Sequence, residues 1–210
     1  MNIMEPIWTK IFTKDTYSCI KGRGIHTLVK QLQNDLRNDP EGTVYCAKMD
    51  IKKFYPSITH SILKEIVRKK LKGKSLLKLL DEIIDSADGV PIGNYLSQFF
   101  ANLYMAYFDH WVKEELKVKY YYRYADDIVL LSDSKEQLRS WILAIKVYLT
   151  NVLNLKLKDN YQIYPVESRG IDFVGYVCYH DHTLLRKSIK LKLLELVDAY
   201  KKRLISKKKL

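Results

Sequence analysis

The sequence predicts a protein of the α+β class. Hydrophobic residues make up 47% of the 210 positions, which is enough for one domain with its own core, or for one domain with a small appendage. Segments with helical spacing of apolar residues and short runs of strand-forming residues are mixed along the chain. They do not follow a regular β–α–β alternation, and this order favours α+β over a doubly wound fold.

The first third of the chain predicts mainly helix. Residues 5–17 predict a short helix and a turn, and the basic loop KGRG follows at 21–24. An amphipathic helix is predicted over 25–38. Its apolar face consists of Ile25, Leu28, Val29, Leu32 and Leu36. The segment DPEG at 39–42 ends this helix.

The middle of the chain begins with a strand. VYCAKMDI at 44–51 alternates in part between apolar and polar residues and predicts a strand that ends at Asp50. Helical spacing resumes over 60–71 and over about 75–87. After the turn DGVPIGN, residues 95–116 predict a long and largely buried helix.

Residues 120–132 read YYYRYADDIVLLS and predict a hairpin. Strands over 120–125 and 128–132 would place Asp126 and Asp127 at its tip. Asp is depleted in strands and is costly to desolvate without a partner. Two adjacent carboxylates in a run that otherwise favours burial therefore require a compensating charge.

The last part of the chain predicts a helix, further strands and a basic tail. Ser134 and Gln137 fit a capping box that opens a helix to about residue 152. The remaining predicted elements are strands at 161–165 and 171–178, a turn at 180–182, a strand at 183–186 and an amphipathic helix from 188. The apolar side of that helix consists of Ile189, Leu193, Leu196, Val197 and Tyr200.

The net charge of +12 predicts a polyanionic partner, either nucleic acid or an anionic membrane surface. The 16 tyrosines offer stacking surfaces for bases and favour nucleic acid. No apolar run is long enough to span a bilayer, and the N-terminus does not read as a secretory signal. With only three scattered cysteines, a cytoplasmic, reduced protein without a membrane partner is expected.

Asp50 ends one predicted strand, and Asp126 and Asp127 lie on another. If these strands are neighbours, three carboxylates converge and raise one another's pKa values. Mg²⁺ prefers oxygen ligands and is typically held by a few carboxylates together with substrate phosphates. A pair of aspartates alone is usually a solvated turn. The order of Asp50, GVPIGN and YADD favours a metal site instead.

At these residues the chain resembles the reverse transcriptases. AKMDIKKFYPSI resembles motif A of that family, GVPIGNYLSQFFANLYM resembles motif B, and YRYADDIVLL resembles motif C. SRGIDFVGYVCYHDHTLLR is similar to the region that leads into the primer grip, and IKGRGIHTLVKQL to the block before motif A. The pattern GxPIGNxxSQFFAN resembles the bacterial and phage branch that includes diversity-generating retroelements.

The resemblance implies a polymerase palm, in which an antiparallel sheet packs on helices, with a partial C-terminal thumb helix. Residues 1–43 would be a residual fingers and palm-entry segment. Residues 44–177 would form the palm, and 178–210 the primer-grip hairpin and the start of the thumb. A bacterial or phage-encoded protein is implied.

The resemblance also assigns catalytic roles. Asp50 and Asp126 would bind two Mg²⁺ ions, for which Mn²⁺ could substitute, and Asp127 would be a partial ligand. The backbone carbonyl of Ile51 would join the metal site. Tyr55 falls where the family places the steric gate that selects dNTP over rNTP, although a core tyrosine is the alternative.

Further residues are assigned to the substrates. Those implied to contact the nucleotide are Phe54, Tyr55, Pro91, Ile92 and Gly93. Those implied to contact template or primer are Lys21, Arg23, Asn94, Gln98, Tyr176, Lys187 and Lys190. Either Lys156 or Lys158 would correspond to the mobile lysine that protonates pyrophosphate.

Two departures from the family pattern stand out. Many members carry Pro-Gln-Gly in motif B, whereas this chain has isoleucine at Ile92, which cannot hydrogen-bond the nascent pair and predicts error-prone synthesis. The family's fingers segment, which grips the triphosphate, has no counterpart here. The chain is then a shortened piece, receives the clamp from a second chain, or is inactive alone.

Three functions remain open. The first is RNA-templated DNA synthesis with dNTPs and a DNA or RNA primer, with an accessory basic protein as a further partner. The second is a catalytically incomplete palm that acts as a scaffold for nucleic acid or a partner. The third is a template-independent nucleotidyl transferase or cyclase, which the resemblance to motif B and the primer grip disfavours.

Overall fold

A computed structural model describes residues 4–91, 93 and 95–202 of the chain. Two sheets lie within these ranges. Their strands, in chain order, are β1 (Thr16–Tyr17), β2 (Tyr45–Asp50), β3 (Tyr120–Tyr124), β4 (Asp127–Ser132), β5 (Gln162–Pro165), β6 (Ile171–Phe173), β7 (Tyr176–Cys178) and β8 (Thr183–Leu185).

Helices connect and cover these strands. They are α1 (Glu5–Thr9), α2 (Ile25–Asn38), α3 (Phe54–Ser57), α4 (His60–Lys70), α5 (Lys74–Ile84), α6 (Tyr95–Glu114), α7 (Lys135–Leu153), α8 (Val166–Arg169) and α9 (Lys187–Lys201). Of the described helices, none is both long enough and apolar enough to cross a membrane.

The larger sheet has the strand order β1-β3-β4-β2-β5, and the smaller sheet has the order β6-β7-β8. Neighbouring strands are antiparallel, except that β1 runs parallel to β3. The fold is therefore α+β, with a mostly antiparallel sheet packed on helices, which confirms the prediction.

The larger sheet is buried on both faces. Because side chains alternate between faces along a strand, Met49 and Leu130 join a core that includes residues of α4, α6 and α7. Cys46 and Val129 face the other way and join a core with α2 and the smaller sheet. Burial on both sides fixes the register of the strands, since a shift by one residue would exchange the two faces.

On the face of the larger sheet that carries Cys46 and Val129, the last row of side chains is polar. Asp127 lies directly opposite Tyr124 on one side and Asp50 on the other. The preceding row contains Val129 and Lys48. The sheet thus changes from apolar packing to carboxylates where β2 stops and β4 begins.

Several predicted elements are present with nearly the same ends. The helices predicted over 25–38, 60–71 and 95–116 correspond to α2, α4 and α6. At the start of α7, Ser134 Oγ accepts a hydrogen bond from Gln137 N at 3.2 Å, so half of the predicted capping box forms. The side chain of Gln137 instead accepts a hydrogen bond from Ser132 Oγ at 2.6 Å.

The single strand predicted over 171–178 was wrong, because the structure shows the hairpin β6–β7. Its turn contains Val174 at φ 44° and Gly175 at φ 92°. A positive φ is readily adopted by glycine and costs a β-branched residue more. The alternating pattern IDFVGYVC carries no other break that marks the turn.

The apolar side predicted for the last helix remains largely uncovered. No residue of α9 is buried, and Ile189, Leu193 and Tyr200 are each more than 40% exposed. The amphipathic pattern therefore predicted the helix correctly but not its environment.

Candidate active site

Two carboxylates face each other across the central strand pair. Asp50 is the last residue of β2, Asp127 is the first residue of β4, and the two are register partners. Directly opposed residues of an antiparallel pair have Cβ atoms about 5 Å apart and project from the same face. The fold therefore brings these two side chains together although 76 positions separate them in the sequence (127 − 50 − 1).

Asp126 lies in the turn between β3 and β4. Its backbone carbonyl accepts a hydrogen bond from Ile51 N at 3.2 Å, which ties the turn to the residue after Asp50. Ile51 itself is buried and forms a bridge to Leu157. The three predicted carboxylates and the backbone of Ile51 thus lie at one edge of the sheet.

The carboxylates at this edge of the sheet have too little positive charge nearby to balance their own negative charge. Burial is the main factor that raises the pKa of Asp127 to about 6, and the charge of Asp50 raises it further. Burial also raises the pKa of Asp126, with a contribution from the charge of Asp50. Nearby negative charges and partial burial both disfavour an ionised carboxylate.

Two lysines supply partial neutralisation. Lys158 Nζ lies 2.7 Å from Asp50 Oδ1, and this contact raises the pKa of Lys158. Lys48 Nζ lies 3.4 Å from Asp127 Oδ2 and donates a hydrogen bond to the backbone carbonyl of Asp172 at 2.5 Å. The side chain of Lys158 is 44% exposed, so it can move away from Asp50 without disturbing the core.

The residues fit a divalent cation in donor type. Asp127 Oδ1 is buried and has no hydrogen-bond partner among the described residues, and a cation would satisfy such an oxygen. Within the described ranges, the structure shows no group of three or more His, Cys, Asp or Glu side chains already arranged to hold a metal ion. The ammonium group of Lys158 contacts Asp50 Oδ1 at 2.7 Å, so a cation held by that oxygen would compete with Lys158.

Among the residues assigned to the nucleotide, Tyr55 is the best placed. It is half-buried, and the charge of Asp126 contributes to the raised pKa of its hydroxyl after the larger effect of burial. Phe54 is buried in the larger core, and its ring lies 5.4 Å from that of Tyr55 between centroids. The nucleotide contact assigned to Phe54 stays a prediction.

The segment before α6 is fixed to α3. Val90 N donates a hydrogen bond to Tyr55 O at 3.1 Å, and Ser97 Oγ donates one to Pro91 O. Gly93 is exposed, with φ at 93°. Ile92 and Asn94 lie outside the described residues. Pro91 is thereby held near Tyr55 through the backbone of Val90.

Gly89 permits this approach of the two segments, and we predict that Gly89→Ala destabilises the fold. Its φ is 68°, and an added Cβ would lie 2.6 Å from Pro56 Cα and closer still to the carbonyl oxygen of Tyr55. The left-handed conformation and the steric overlap together should lower the free energy of unfolding by about 3 kcal/mol. Urea denaturation measures this change.

The matched control is Gly22→Ala. Gly22 also has a positive φ of 79°, but an added Cβ would meet nothing within 4 Å. The control should therefore lose only about 1 kcal/mol from the conformational effect. Equal losses in the two variants would show that the contact between Gly89 and Tyr55 is not tight.

The residues assigned to template or primer are spread over the surface. Lys21, Gln98, Lys187 and Lys190 are exposed. Arg23 is engaged by the fold, since its Nη1 donates a hydrogen bond to Thr13 O at 2.8 Å. The ring of Tyr176 lies edge-on to that of His26 at 6.2 Å. Among the described residues, no hydrogen bond, ion pair or ring contact joins this group to the carboxylates, so these assignments stay predictions.

Sequence reasoning missed Lys48 as part of the site. Its position two residues before Asp50 in a strand puts both side chains on the same face, so the spacing in KMD was the available signal. Of the two lysines left open by the sequence, Lys158 reaches the carboxylates. Lys156 instead lines a cleft of about 520 Å³ with Lys52 and Lys53.

The chain matches a known protein family and a curated protein over most of its length. A family model described as reverse transcriptase (RNA-dependent DNA polymerase) matches residues 1–178. Protein YkfC of Escherichia coli (strain K12) is 22% identical over 228 residues, which cover 88% of this chain and 58% of YkfC.

Solved structures of telomerase share the fold. Apo telomerase from Candida tropicalis, truncated from its C-terminal domain, superposes with a TM-score of 0.69 and 14% identity over 88% of this chain and 44% of that chain. Telomerase from Candida albicans in complex with a TWJ fragment of telomeric RNA gives 0.66 and 12% identity over 88% of this chain and 37% of the other. The chain thus spans less than two thirds of the length of each of these relatives.

Proposed function

The chain belongs to the reverse transcriptase (RNA-dependent DNA polymerase) family, and from this premise we propose that it catalyses RNA-templated DNA synthesis. The substrates are an RNA template, a DNA or RNA primer and dNTPs. The observation that carries the proposal is the opposed pair Asp50 and Asp127, with Asp126 in the adjoining turn. In this proposal residues 44–177 act as the palm.

The carboxylates would hold the metal ions. Asp50 and Asp126 would bind two Mg²⁺ ions, with Asp127 as a partial ligand whose buried Oδ1 has no hydrogen-bond partner among the described residues. The bound ions would activate the primer 3′-hydroxyl and stabilise the leaving pyrophosphate. The contribution of the protein is then mainly positioning and electrostatic stabilisation at the α-phosphate.

Lys158 and Tyr55 would complete the reaction site. Lys158 Nζ lies 2.7 Å from Asp50 Oδ1, and its ammonium group would be the one that donates a proton to the leaving pyrophosphate. Tyr55 lies close enough to Asp126 for the carboxylate charge to affect its hydroxyl, and its ring would exclude a ribose 2′-hydroxyl. The positive net charge of +12 would hold the template–primer duplex by phosphate contacts.

Primer extension tests the proposal. A labelled DNA primer on an RNA template is incubated with dNTPs and Mg²⁺, and the same primer on a DNA template of equal sequence serves as comparison. We expect extension on RNA by the wild type and none by Asp126→Asn/Asp127→Asn, with both proteins binding the duplex equally in fluorescence anisotropy.

A nucleic-acid scaffold without turnover is the second candidate. It is favoured by the two lysines that neutralise Asp50 and Asp127 at 2.7 and 3.4 Å, because such ion pairs could substitute for metal ions permanently. Under this alternative the wild type binds the duplex but does not extend the primer, even with Mn²⁺ in place of Mg²⁺.

Error-prone synthesis is part of the proposal and rests on Ile92. An isoleucine side chain offers no hydrogen bond to the nascent pair. We predict that Ile92→Gln lowers the misincorporation frequency about 10-fold, as one hydrogen bond to a polar group changes discrimination by about 1 kcal/mol or more. Sequencing of the extension products measures the frequency, and equal values for the two proteins would contradict the prediction.

A further inference from the structure

A buried ion pair lies directly behind the turn that carries Asp126. Arg123 of β3 and Asp109 of α6 have side chains with 0% exposure. The guanidinium group binds the carboxylate through two bonds, Nε to Oδ1 at 2.7 Å and Nη2 to Oδ2 at 2.6 Å. This bidentate geometry fixes both side chains in one orientation.

Hydroxyl groups complete the coordination of the carboxylate. Tyr121 donates a hydrogen bond to Asp109 Oδ1 at 2.5 Å, and Thr16 donates one to Oδ2 at 2.7 Å. Each carboxylate oxygen therefore has two donors, one from Arg123 and one from a hydroxyl. The network joins α6, β3 and the edge strand β1, and its four side chains are buried.

One arm of the guanidinium group reaches the turn itself. Arg123 Nη1 donates a hydrogen bond to Ala125 O at 2.9 Å. Ala125 has φ at 54°, in the left-handed region that costs a non-glycine residue about 1 kcal/mol or more. The same nitrogen also contacts Asn102 Oδ1 at 3.3 Å. The carbonyl of the strained residue next to Asp126 is thus held by a group that the core immobilises.

We propose that Arg123 and Asp109 are positioning residues that set the place of Asp126 relative to Asp50. Buried ion pairs stabilise a fold little compared with apolar side chains of similar size, so stability alone gives no reason for this arrangement. A rigid hydrogen-bond donor to Ala125 O does give a reason for it. The turn must hold the Asp126 carboxylate in place against the repulsion of Asp50 and Asp127. The inference deepens the proposed function and rests on it for the role of Asp126.

The test removes the whole network and keeps its volume. The apolar variant combines Arg123→Met, Asp109→Leu, Tyr121→Phe and Thr16→Val, which leaves few buried polar groups without partners. The control is Tyr104→Phe, because Tyr104 is also buried on α6 and donates a hydrogen bond to Leu153 O at 2.6 Å, away from the turn. Arg123→Lys is a third variant, which keeps the positive charge but lacks the paired N–H donors of the guanidinium group.

Amide hydrogen exchange at Ile51 reports on the turn, because Ile51 N donates to Asp126 O. We expect exchange at Ile51 and across residues 124–128 to be at least about 10-fold faster in the apolar variant and in Arg123→Lys. The Tyr104→Phe control should exchange there at the wild-type rate, even where its melting temperature is equally lowered. This readout needs no metal, nucleotide or activity.

Wild-type exchange at Ile51 in a folded apolar variant or in folded Arg123→Lys would overturn the inference. Should the apolar variant fail to fold, Arg123→Lys alone decides the result. Failure of the proposed function can be told apart from failure of this inference. If the proposed function is wrong, the wild type does not extend the primer, but the difference in hydrogen exchange between the variants remains.

Discussion

Replacing Asp126 with asparagine is expected to lower the rate of nucleotide incorporation by about 1,000-fold or more. The substitution keeps the size of the side chain and removes the charge that would hold a divalent cation beside Asp50. Burial already raises the pKa of Asp126, which is the direction in which a neutral side chain is favoured over a charged one. The variant should therefore fold normally and bind the template–primer duplex normally.

The measurement is single-nucleotide extension under saturating dNTP, with the rate followed over time. Asp159→Asn is the matched control. Asp159 is an exposed acidic residue next to Lys158 in the sequence, and its substitution removes the same charge from the surface. It should extend at nearly the wild-type rate. An Asp126→Asn rate within about 10-fold of the wild type would exclude a metal ligand at this position.

Replacing Tyr55 with valine is expected to raise the use of rNTPs relative to dNTPs by about 100-fold. The ring of Tyr55 is half-buried on α3 and packs against Phe54, and the backbone of Tyr55 is fixed by Val90 N. A ring held in this way cannot move aside for a 2′-hydroxyl. Valine opens that space and leaves the hydrogen bond to Val90 in place, because the bond uses the main chain.

Tyr55→Phe is the control, since it retains the ring and removes only the hydroxyl. The ratio of the kcat/KM values for dNTP and rNTP should stay near the wild-type value in Tyr55→Phe and fall in Tyr55→Val. If the ratio is unchanged in Tyr55→Val while the protein remains folded, Tyr55 is a packing residue and the sugar is selected elsewhere.

The parts of the site within one strand pair could be predicted from sequence. Strand-forming residues around Asp50 and around Asp126 and Asp127 defined β2, β3 and β4, and the polar residues mark where β2 stops and where the turn lies. Their convergence needed only that β2 and β4 be neighbours. Antiparallel pairing then placed Asp50 opposite Asp127, because both residues lie at the same end of the pair.

The ion pairs of the site could not be predicted in the same way. Asp109 meets Arg123 because α6 packs across the sheet next to β3, and no local pattern encodes that crossing. Lys158 reaches Asp50 through the bridge between Ile51 and Leu157, which forms outside any regular strand. Such contacts depend on tertiary packing, where side chains distant in sequence compensate one another's charge.

The turn of the β6–β7 hairpin was missed for a local reason. Val174 adopts a positive φ, a conformation that sequence rules assign to glycine or asparagine. Gly175 is the single glycine in IDFVGYVC, and one glycine does not exclude a continuous strand. The hairpin matters for the site because the backbone of Asp172 accepts the hydrogen bond from Lys48, and Lys48 in turn neutralises Asp127.

Asp50, Asp126 and Asp127 are proposed to bind divalent cations together for catalysis. Mn²⁺ binding, followed by electron paramagnetic resonance with a dideoxy-terminated primer on an RNA template and the next dNTP, tests it most directly. Beyond the Mn²⁺ that the same concentrations of dNTP and duplex bind without protein, the wild type should bind further Mn²⁺ saturably, and Asp126→Asn/Asp127→Asn should bind no more. Absence of binding by the wild type, or equal binding by the double variant, would contradict the claim.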